Sequence, residues 1–437
     1  MGAMQSCVSP KAALVTLGCP MNQVDSERII GGLVSLGFEI VPEEEADIVV
    51  VNTCGFIEDA REESINTILS VAKLKETGTL KSLVVAGCLA ERYRSDLESE
   101  LTETDAVVGL KDRGRIPMLC RELLACGQTG KTGYHRVVTG PPHTAYLKIA
   151  EGCDNRCSYC AIPMIRGPYR STPQAEILRE AEELASAGVR ELILIAQDTT
   201  NYGCDLDGCS LPGLLRRLSG IDAFKWIRLM YAHPAHFSDE LIETIAALPH
   251  VIPYVDLPVQ HISSKVLKRM GRATPPDSIY SLIDRLREKI EGVVLRTALI
   301  VGFPGETDED FRELLDFISY VRFERLGAFV YSHEEGTSAS ALINSIPAKV
   351  ARKRHETLME TQSQISAEFH PSLIGRELEM IIDTADDGNG VVIGRTYMDA
   401  PEIDGNLTGA GSVQEEDVFC RVRITGAGLY DLEGDIV

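Results

Sequence analysis

Short apolar runs alternate with helical spacing through the first part of the chain. The runs AALVTL (12–17), DIVVVNT (47–53), SLVVAG (82–87) and DAVVGL (105–110) have the length and β-branched content of buried strands. Between the first two, Ile29, Ile30, Leu33 and Leu36 recur at helical spacing, and between the next two Ile57, Ile65, Ile68 and Ala72 do the same. Such alternation predicts a doubly wound parallel sheet with helices on both faces, over residues 10–126. The segment GQTGKTGYHRVVTGPPH (127–143), rich in Gly and ending in Pro-Pro, reads as a linker.

The pattern then repeats a strand–helix unit about six times between residues 139 and 370. Its strands are TAYLKIA (144–150), RELILIAQ (190–197), WIRLMYA (226–232), IPYVDLP (252–258), VVLRTALIVG (293–302) and LGAFVYS (326–332). Six such units predict an incomplete (βα)6 barrel with its functional groups on the loops after the strands. Residues 347–370 form one long closing helix in this reading. From 372 to 437 the pattern changes to short β-like runs, ELEMIID, VVIGRT and DVFCRVRIT, broken by Gly and Asp. These predict a small antiparallel β-barrel.

Composition narrows the class. A chain of 437 residues, 44% apolar, can bury two or three cores. It has no apolar run of the ~18 residues that a membrane span needs. Its opening stretch lacks the basic region and apolar core of a secretory signal, so a cytoplasmic protein is expected. Twelve cysteines are many for a reducing compartment, which points to metal or cluster ligation rather than disulfides. The net charge is −22, and residues 372–437 hold only Arg376, Arg395, Arg421 and Arg423 against fourteen acids, among them Asp386, Asp387, Glu415 and Glu416. A surface this acidic repels polyanionic RNA and suits a basic protein partner.

The chemistry concentrates in EGCDNRCSYCAIP, just after the first barrel strand, where Cys153, Cys157 and Cys160 stand at C-x3-C-x2-C spacing. Three thiolates can ligate three irons of a [4Fe–4S] cube and leave the fourth open to an external ligand such as the amino and carboxylate groups of S-adenosylmethionine. A zinc site lacking its fourth ligand, or three buried thiols, would use the same residues. The loop, its aromatic Tyr159 and the repeat that follows resemble the radical S-adenosylmethionine superfamily. That resemblance implies cleavage of S-adenosylmethionine to a 5′-deoxyadenosyl radical, with Tyr159 near the adenine. It also implies cofactor contacts from the ends of later strands: Gln197 and Asp198, Val259 and Gln260, and the stretch Gly302 to Glu306.

Three more cysteines share a position in the pattern. Cys19, Cys54 and Cys88 each follow a strand of the first unit, at the edge where open α/β sheets bind ligands and helix N-termini favour anions. Three core thiols would look alike in sequence. Their surroundings, LGCPMNQVDSE, VNTCGFIEDAREES and VAGCLAER, resemble the amino-terminal domain of methylthiotransferases, and the acidic tail resembles their TRAM domain. The resemblance implies a second [4Fe–4S] cluster on this triplet. Cys7, Cys120, Cys126, Cys204, Cys209 and Cys420 form no ligand-like set, and His233, His236, His250, His261 and His333 read as loop or core residues.

Of the two branches of these enzymes, one modifies a tRNA adenosine and the other an aspartate of small-subunit ribosomal protein twelve. GCPMNQVDSE, NTCGFIEDAREES, QDTTNYG (197–203), YSHEEGTSA (331–339) and DAPEIDG (399–405) resemble the second branch, the RimO family; tRNA is the less favoured partner. Thr172 stands where that family usually has Arg, and YAHP (231–234) is looser than its pattern. The resemblance implies transfer of a methylthio group to the aspartate β-carbon, two clusters, S-adenosylmethionine as radical source and methyl donor, and an external electron donor.

Overall fold

The computed structural model describes residues 9–76, 78–125, 136–384, 390–414 and 416–437. Cys7, Cys126, Asp386, Asp387, Glu415 and most of the linker lie outside the described residues. The chain forms two compact units. The first comprises the residues up to Thr139 together with Ala161–Pro168 and Ser332–Glu334; the second comprises the rest. Those two short excursions are invisible to a linear reading of domains.

In the first unit, strands β1 (Lys11–Thr16), β2 (Glu39–Ile40), β3 (Ile48–Thr53), β4 (Ser82–Gly87) and β5 (Ala106–Val108) form one parallel sheet in the order β2-β1-β3-β4-β5. The edge strand β2 is the addition to the sequence reading; two residues are too few to show a period. Every residue of β3 and β4 is buried, as expected of parallel strands covered on both faces. Alternate residues serve opposite faces. Val49, Val51, Leu83 and Val85 pack with Ile68 and Val71 of helix α2 (Glu58–Glu76), whereas Ile48, Val50 and Val84 pack with Ile29 and Leu33 of helix α1 (Pro20–Ser35).

The second unit opens with β6 (Thr144–Lys148) and a small antiparallel pair, β7 (Ala150–Glu151) and β8 (Arg170–Ser171). With β6, strands β9 (Glu191–Ile195), β10 (Trp226–Leu229), β11 (Val251–Asp256), β12 (Val294–Val301) and β13 (Arg325–Val330) make a six-stranded parallel sheet in sequential order. This is the expected incomplete barrel. Its last strand is an open edge, with Phe329 and Val330 exposed. The helix Ala348–Phe369 lies against β13 and buries Ala351, Arg354, Leu358, Gln362 and Ile365, one stripe at helical spacing.

The tail is a closed barrel of β14 (Glu377–Thr384), β15 (Val391–Thr396), β16 (Leu407–Ala410), β17 (Phe419–Ala427) and β18 (Leu432–Ile436), around Met380, Val392, Leu407, Val422 and Leu432. Its antiparallel character has one exception. β16 and β18 pair in parallel, and that pair closes the ring. Acids of the tail are also spent inward. Asp399 pairs with Arg325 (2.5 Å), Asp404 with Arg296 (3.3 Å) and with the Tyr254 hydroxyl (2.6 Å), and Asp383 with Arg395 (2.7 Å). Part of the negative charge read as surface is therefore an internal ion-pair seam. Among the described acids of the tail, Glu377, Glu402, Glu416, Asp417, Asp431, Glu433 and Asp435 are exposed.

Candidate cluster sites

Each cysteine triplet sits at the C-terminal edge of its own parallel sheet. In the first unit β1, β3 and β4 are neighbours in register, Thr16 opposite Asn52 and Thr53 opposite Gly87. Cys19 caps α1, Cys54 follows β3, and Cys88 opens the short helix α3 (Cys88–Arg92). Two glycines permit the close approach of these loops. Gly18, at φ +90°, would drive a Cβ to 2.8 Å from the Cys54 Cβ, and Gly87, at φ +98°, to 2.4 Å from Asn52 Oδ1.

The residues around these cysteines are their framework. Asn22 Nδ2 donates to the carbonyls of Leu17 (2.9 Å) and Thr53 (3.0 Å), joining the Cys19 and Cys54 loops. Ser64 Oγ donates to the Cys54 carbonyl and accepts from the Cys54 N–H. Glu334 accepts from Arg61, from Arg92 (3.0 Å) and from the Glu58 N–H (3.1 Å), and Arg92 in turn donates to the Gly55 carbonyl. The start of α2 is thus tied to α3. These partners explain why MNQVDSE, EES and HEE carry polar residues at buried positions.

In the second unit Ser158 anchors the C-x3-C-x2-C loop. Its N–H donates to the Met270 carbonyl, its hydroxyl to the Arg269 carbonyl, and its carbonyl accepts from the Ala339 N–H, each at 2.8 Å. Tyr159 packs against the apolar cluster of Val266, Met270, Phe303 and Ala339, to which the GFPGE loop contributes Phe303. Arg272 escaped the sequence reading. It donates to the Pro258 carbonyl (2.6 Å) and brings Nη1 to 3.9 Å from Cys157 Sγ. A lone Arg in a polar loop, GRATPP, carries no signal of that role.

The strand ends expected to line a cofactor pocket differ in state. Gln197 has a buried Oε1 with no hydrogen-bond partner among the described residues, an acceptor open to an external donor. Gln260 is held at φ +69°, a strained setting for a non-glycine residue. Glu306 turns back on its own loop, accepting from the N–H groups of Gly302 (2.5 Å) and Phe303 (3.0 Å) and pairing with Arg354 (3.1 Å). Burial raises its pKa against the pull of Arg354. Its part is to fix the Gly302 turn. At Gly302 a Cβ would meet the Ala351 Cβ at 2.5 Å.

Asp198 is the hub of this edge. Its carboxylate accepts from Asn155 (2.7 Å), Thr200 (2.7 Å) and the Asn201 N–H (3.2 Å), and meets His236 Nδ1 at 2.7 Å. Burial would raise its pKa, but the bonds from His236 and Thr200 prevail and lower it. His233 stacks on His236 and burial pushes its pKa down to about 3. The two histidines read as ordinary loop residues in fact converge on Asp198; only the barrel brings them there.

The donor sets fit clusters. A zinc ion bound by sulfur at about 2.3 Å would gather its thiolates within about 3.8 Å of one another. Neither triplet brings its three sulfurs within 4.8 Å, whereas Asp198, His233 and His236 do bring ligand atoms that close. Irons at separate corners of a cube need the wider spacing. Burial raises the pKa of the Cys88 and Cys153 thiols, and the nearby cysteines, Cys19 and Cys54 for the first and Cys157 for the second, add to the rise. Burial is the larger cause, pushing Cys88 up to about 12 and Cys153 up to about 11. Any metal bound through these thiols would have to displace protons.

Comparison with known proteins places these features in a family. Residues 147–318 match the radical SAM superfamily, 11–109 the uncharacterized protein family UPF0004, and 374–437 the TRAM domain. Relatives named "Ribosomal protein uS12 methylthiotransferase RimO" span the whole chain. The one from Pelotomaculum thermopropionicum is 46% identical over 98% of this chain and 99% of its own, and that from Clostridioides difficile 45% over 98% and 99%. The chain belongs to the RimO family. Membership of the radical SAM superfamily within it implies a [4Fe–4S] cluster and S-adenosylmethionine. Among solved structures, the radical S-adenosylmethionine methyltransferase TsrM from Kitasatospora setae shares the fold, with a TM-score of 0.54 and 16% identity over 76% of this chain and 77% of that one. This RimO-family chain has, among its described residues, no helix long and apolar enough to cross a membrane.

Proposed function

We propose that this chain replaces a C–H bond at the β-carbon of an aspartate in ribosomal protein uS12 by C–SCH3, consuming S-adenosylmethionine both as radical source and as methyl donor. The observation that carries the reading is the pair of cysteine triplets, each on the ligand-binding edge of a parallel sheet, in a chain whose full-length relatives bear the uS12 methylthiotransferase name.

Cys153, Cys157 and Cys160 hold the first cluster in this reading, and Cys19, Cys54 and Cys88 the second. When bound, the first supplies the electron that turns S-adenosylmethionine into a hydrogen-abstracting radical, and the second presents the sulfur. The polypeptide's own work is placement. Ser158 fixes the loop of the first triplet, Tyr159 and Gln197 offer an aromatic face and a free acceptor to the nucleoside, and Gln260, Gly302 and Glu306 shape the strand ends around it. Asp198 aligns Asn155 beside Cys153 and His236 across the mouth of the barrel. Labour divides by segment: residues 10–126 for sulfur, 139–370 for radical generation and 372–437 for the substrate. The exposed acids of the tail suit a basic ribosomal protein in the cytoplasm, with electrons from an external donor.

The test is anaerobic incubation of reconstituted, reduced protein with S-adenosylmethionine and either purified uS12 or bulk tRNA. The expected products are 5′-deoxyadenosine and a methylthio adduct on one aspartate of uS12. Methylthio-adenosine in the tRNA instead would transfer the chain to the other branch. Absence of 5′-deoxyadenosine would remove the radical chemistry altogether.

A further inference from the structure

Arg166 stands six residues beyond Cys160, yet it belongs to the first unit. It ends the short helix Ile162–Ile165, whose Ile165, with Ala161, buries against Cys88 and Leu110. The guanidinium is 1% exposed. Nη2 donates to Asn22 Oδ1 at 2.6 Å and lies 3.4 Å from Cys88 Sγ, while Nη1 pairs with Asp25 at 3.3 Å. Asp25 also pairs with Arg113 at 3.2 Å. Two cations therefore meet at one buried carboxylate, and one of them also reaches the sulfur.

A guanidinium does not lose its proton in a protein, and burying one without full compensation is costly. The same Nη2 that donates to Asn22 Oδ1 also has Cys88 Sγ within hydrogen-bond reach. A hydrogen bond from a charged donor to sulfur is strongest when the sulfur is a metal-bound thiolate. We infer that Arg166 is a positioning residue for the second cluster: it orients the Cys88 thiolate by an N–H···S bond and raises that cluster's reduction potential. The inference rests on the proposed assignment of Cys19, Cys54 and Cys88 as ligands. Reduction adds one electron to a group already rich in thiolate charge. A fixed cation and a hydrogen bond to sulfur stabilise the reduced state more than the oxidised one. Asp25 acts in the opposite sense.

The experiment is a dithionite titration of the reconstituted full chain followed by electron paramagnetic resonance. The signal of the second cluster is assigned in a variant with Cys153, Cys157 and Cys160 replaced by Ala. Arg166→Met should favour the oxidised cluster at least tenfold, a downward shift of about 59 mV for a one-electron couple. Arg166→Lys, which keeps the charge but not the fork, should restore most of the potential. Asp25→Asn should shift it upward, a reversal of sign that a merely structural role would not produce. If Arg166→Met fails to load iron, Asp25→Asn carries the test alone. An unchanged potential in Asp25→Asn, or in a fully loaded Arg166→Met, overturns the inference and leaves the second cluster standing. If wild-type protein loses no iron when Cys19, Cys54 and Cys88 are replaced, the ligand assignment itself has failed.

Discussion

Glu191, the first residue of β9, is the keystone between the parallel barrel and the tail. Its side chain is 0% exposed and accepts from Arg228 Nε at 2.9 Å and Arg395 Nη2 at 2.8 Å. Although burial works against it, Arg395 and Arg228 hold its pKa down at about 2, against an ordinary 4.5. The difference corresponds to about 3 kcal/mol of folding stability at neutral pH. That agrees with the roughly 3–5 kcal/mol lost when one partner of a buried ion pair is removed. Glu191→Gln should therefore destabilise the junction by about 3 kcal/mol, because two buried guanidinium groups lose their shared anion. Arg395→Met should cost less, since Glu191 keeps Arg228 and Asp383 is partly exposed to water. The double variant should fall well short of the sum, because both changes break the same bond. The contribution follows pH with a definite sign. A carboxylate whose pKa is lowered by folding stabilises above its unfolded value, and this is lost as pH falls from about 4.5 toward about 2. The assay is release of the tail by limited proteolysis in increasing urea at pH 7, with a companion series in acid. A Glu191→Gln variant as resistant as wild type at pH 7 would refute the reasoning. So would a wild-type junction whose resistance does not change between pH 5 and 2.

Reconstituted protein should hold about eight irons per chain, falling to about four when Cys153, Cys157 and Cys160 become Ala; iron and sulfide analysis decides, and full iron in the variant would remove these ligands. Replacing Cys19, Cys54 and Cys88 should leave 5′-deoxyadenosine formation intact and abolish the methylthio product, read by mass spectrometry of uS12. Asn22→Ala should cost about 2 kcal/mol, because one buried and one half-buried carbonyl at the cysteine loops lose their donor; a denaturation midpoint equal to wild type would argue against it. Reversing the exposed acids Glu416, Asp417, Glu433 and Asp435 to Lys should weaken binding of uS12 in low salt and have little effect near 1 M, where screening shrinks to about 3 Å; loss of affinity independent of salt would point to misfolding instead.

Local pattern determined most of the architecture. Runs such as DIVVVNT and SLVVAG have the length and β-branched content of strands buried on both faces, and the helical spacing between them argues a parallel sheet, so the C-terminal edge carrying Cys19, Cys54 and Cys88 was legible in the sequence. The spacing of Cys153, Cys157 and Cys160 is local in the same sense, since one loop holds all three. What the chain order conceals are partners brought together from far apart. Arg166 reaches Cys88 and Asn22, Arg272 reaches Cys157, and His233 and His236 meet Asp198, none with any periodicity to announce it. Charge was the least readable quantity. Asp383, Asp399 and Asp404 count as acidic surface in composition, but folding turns them inward onto Arg395, Arg325 and Arg296. Net charge sums over residues without regard to direction. Only the tertiary structure decides which carboxylates face water and which neutralise a buried cation.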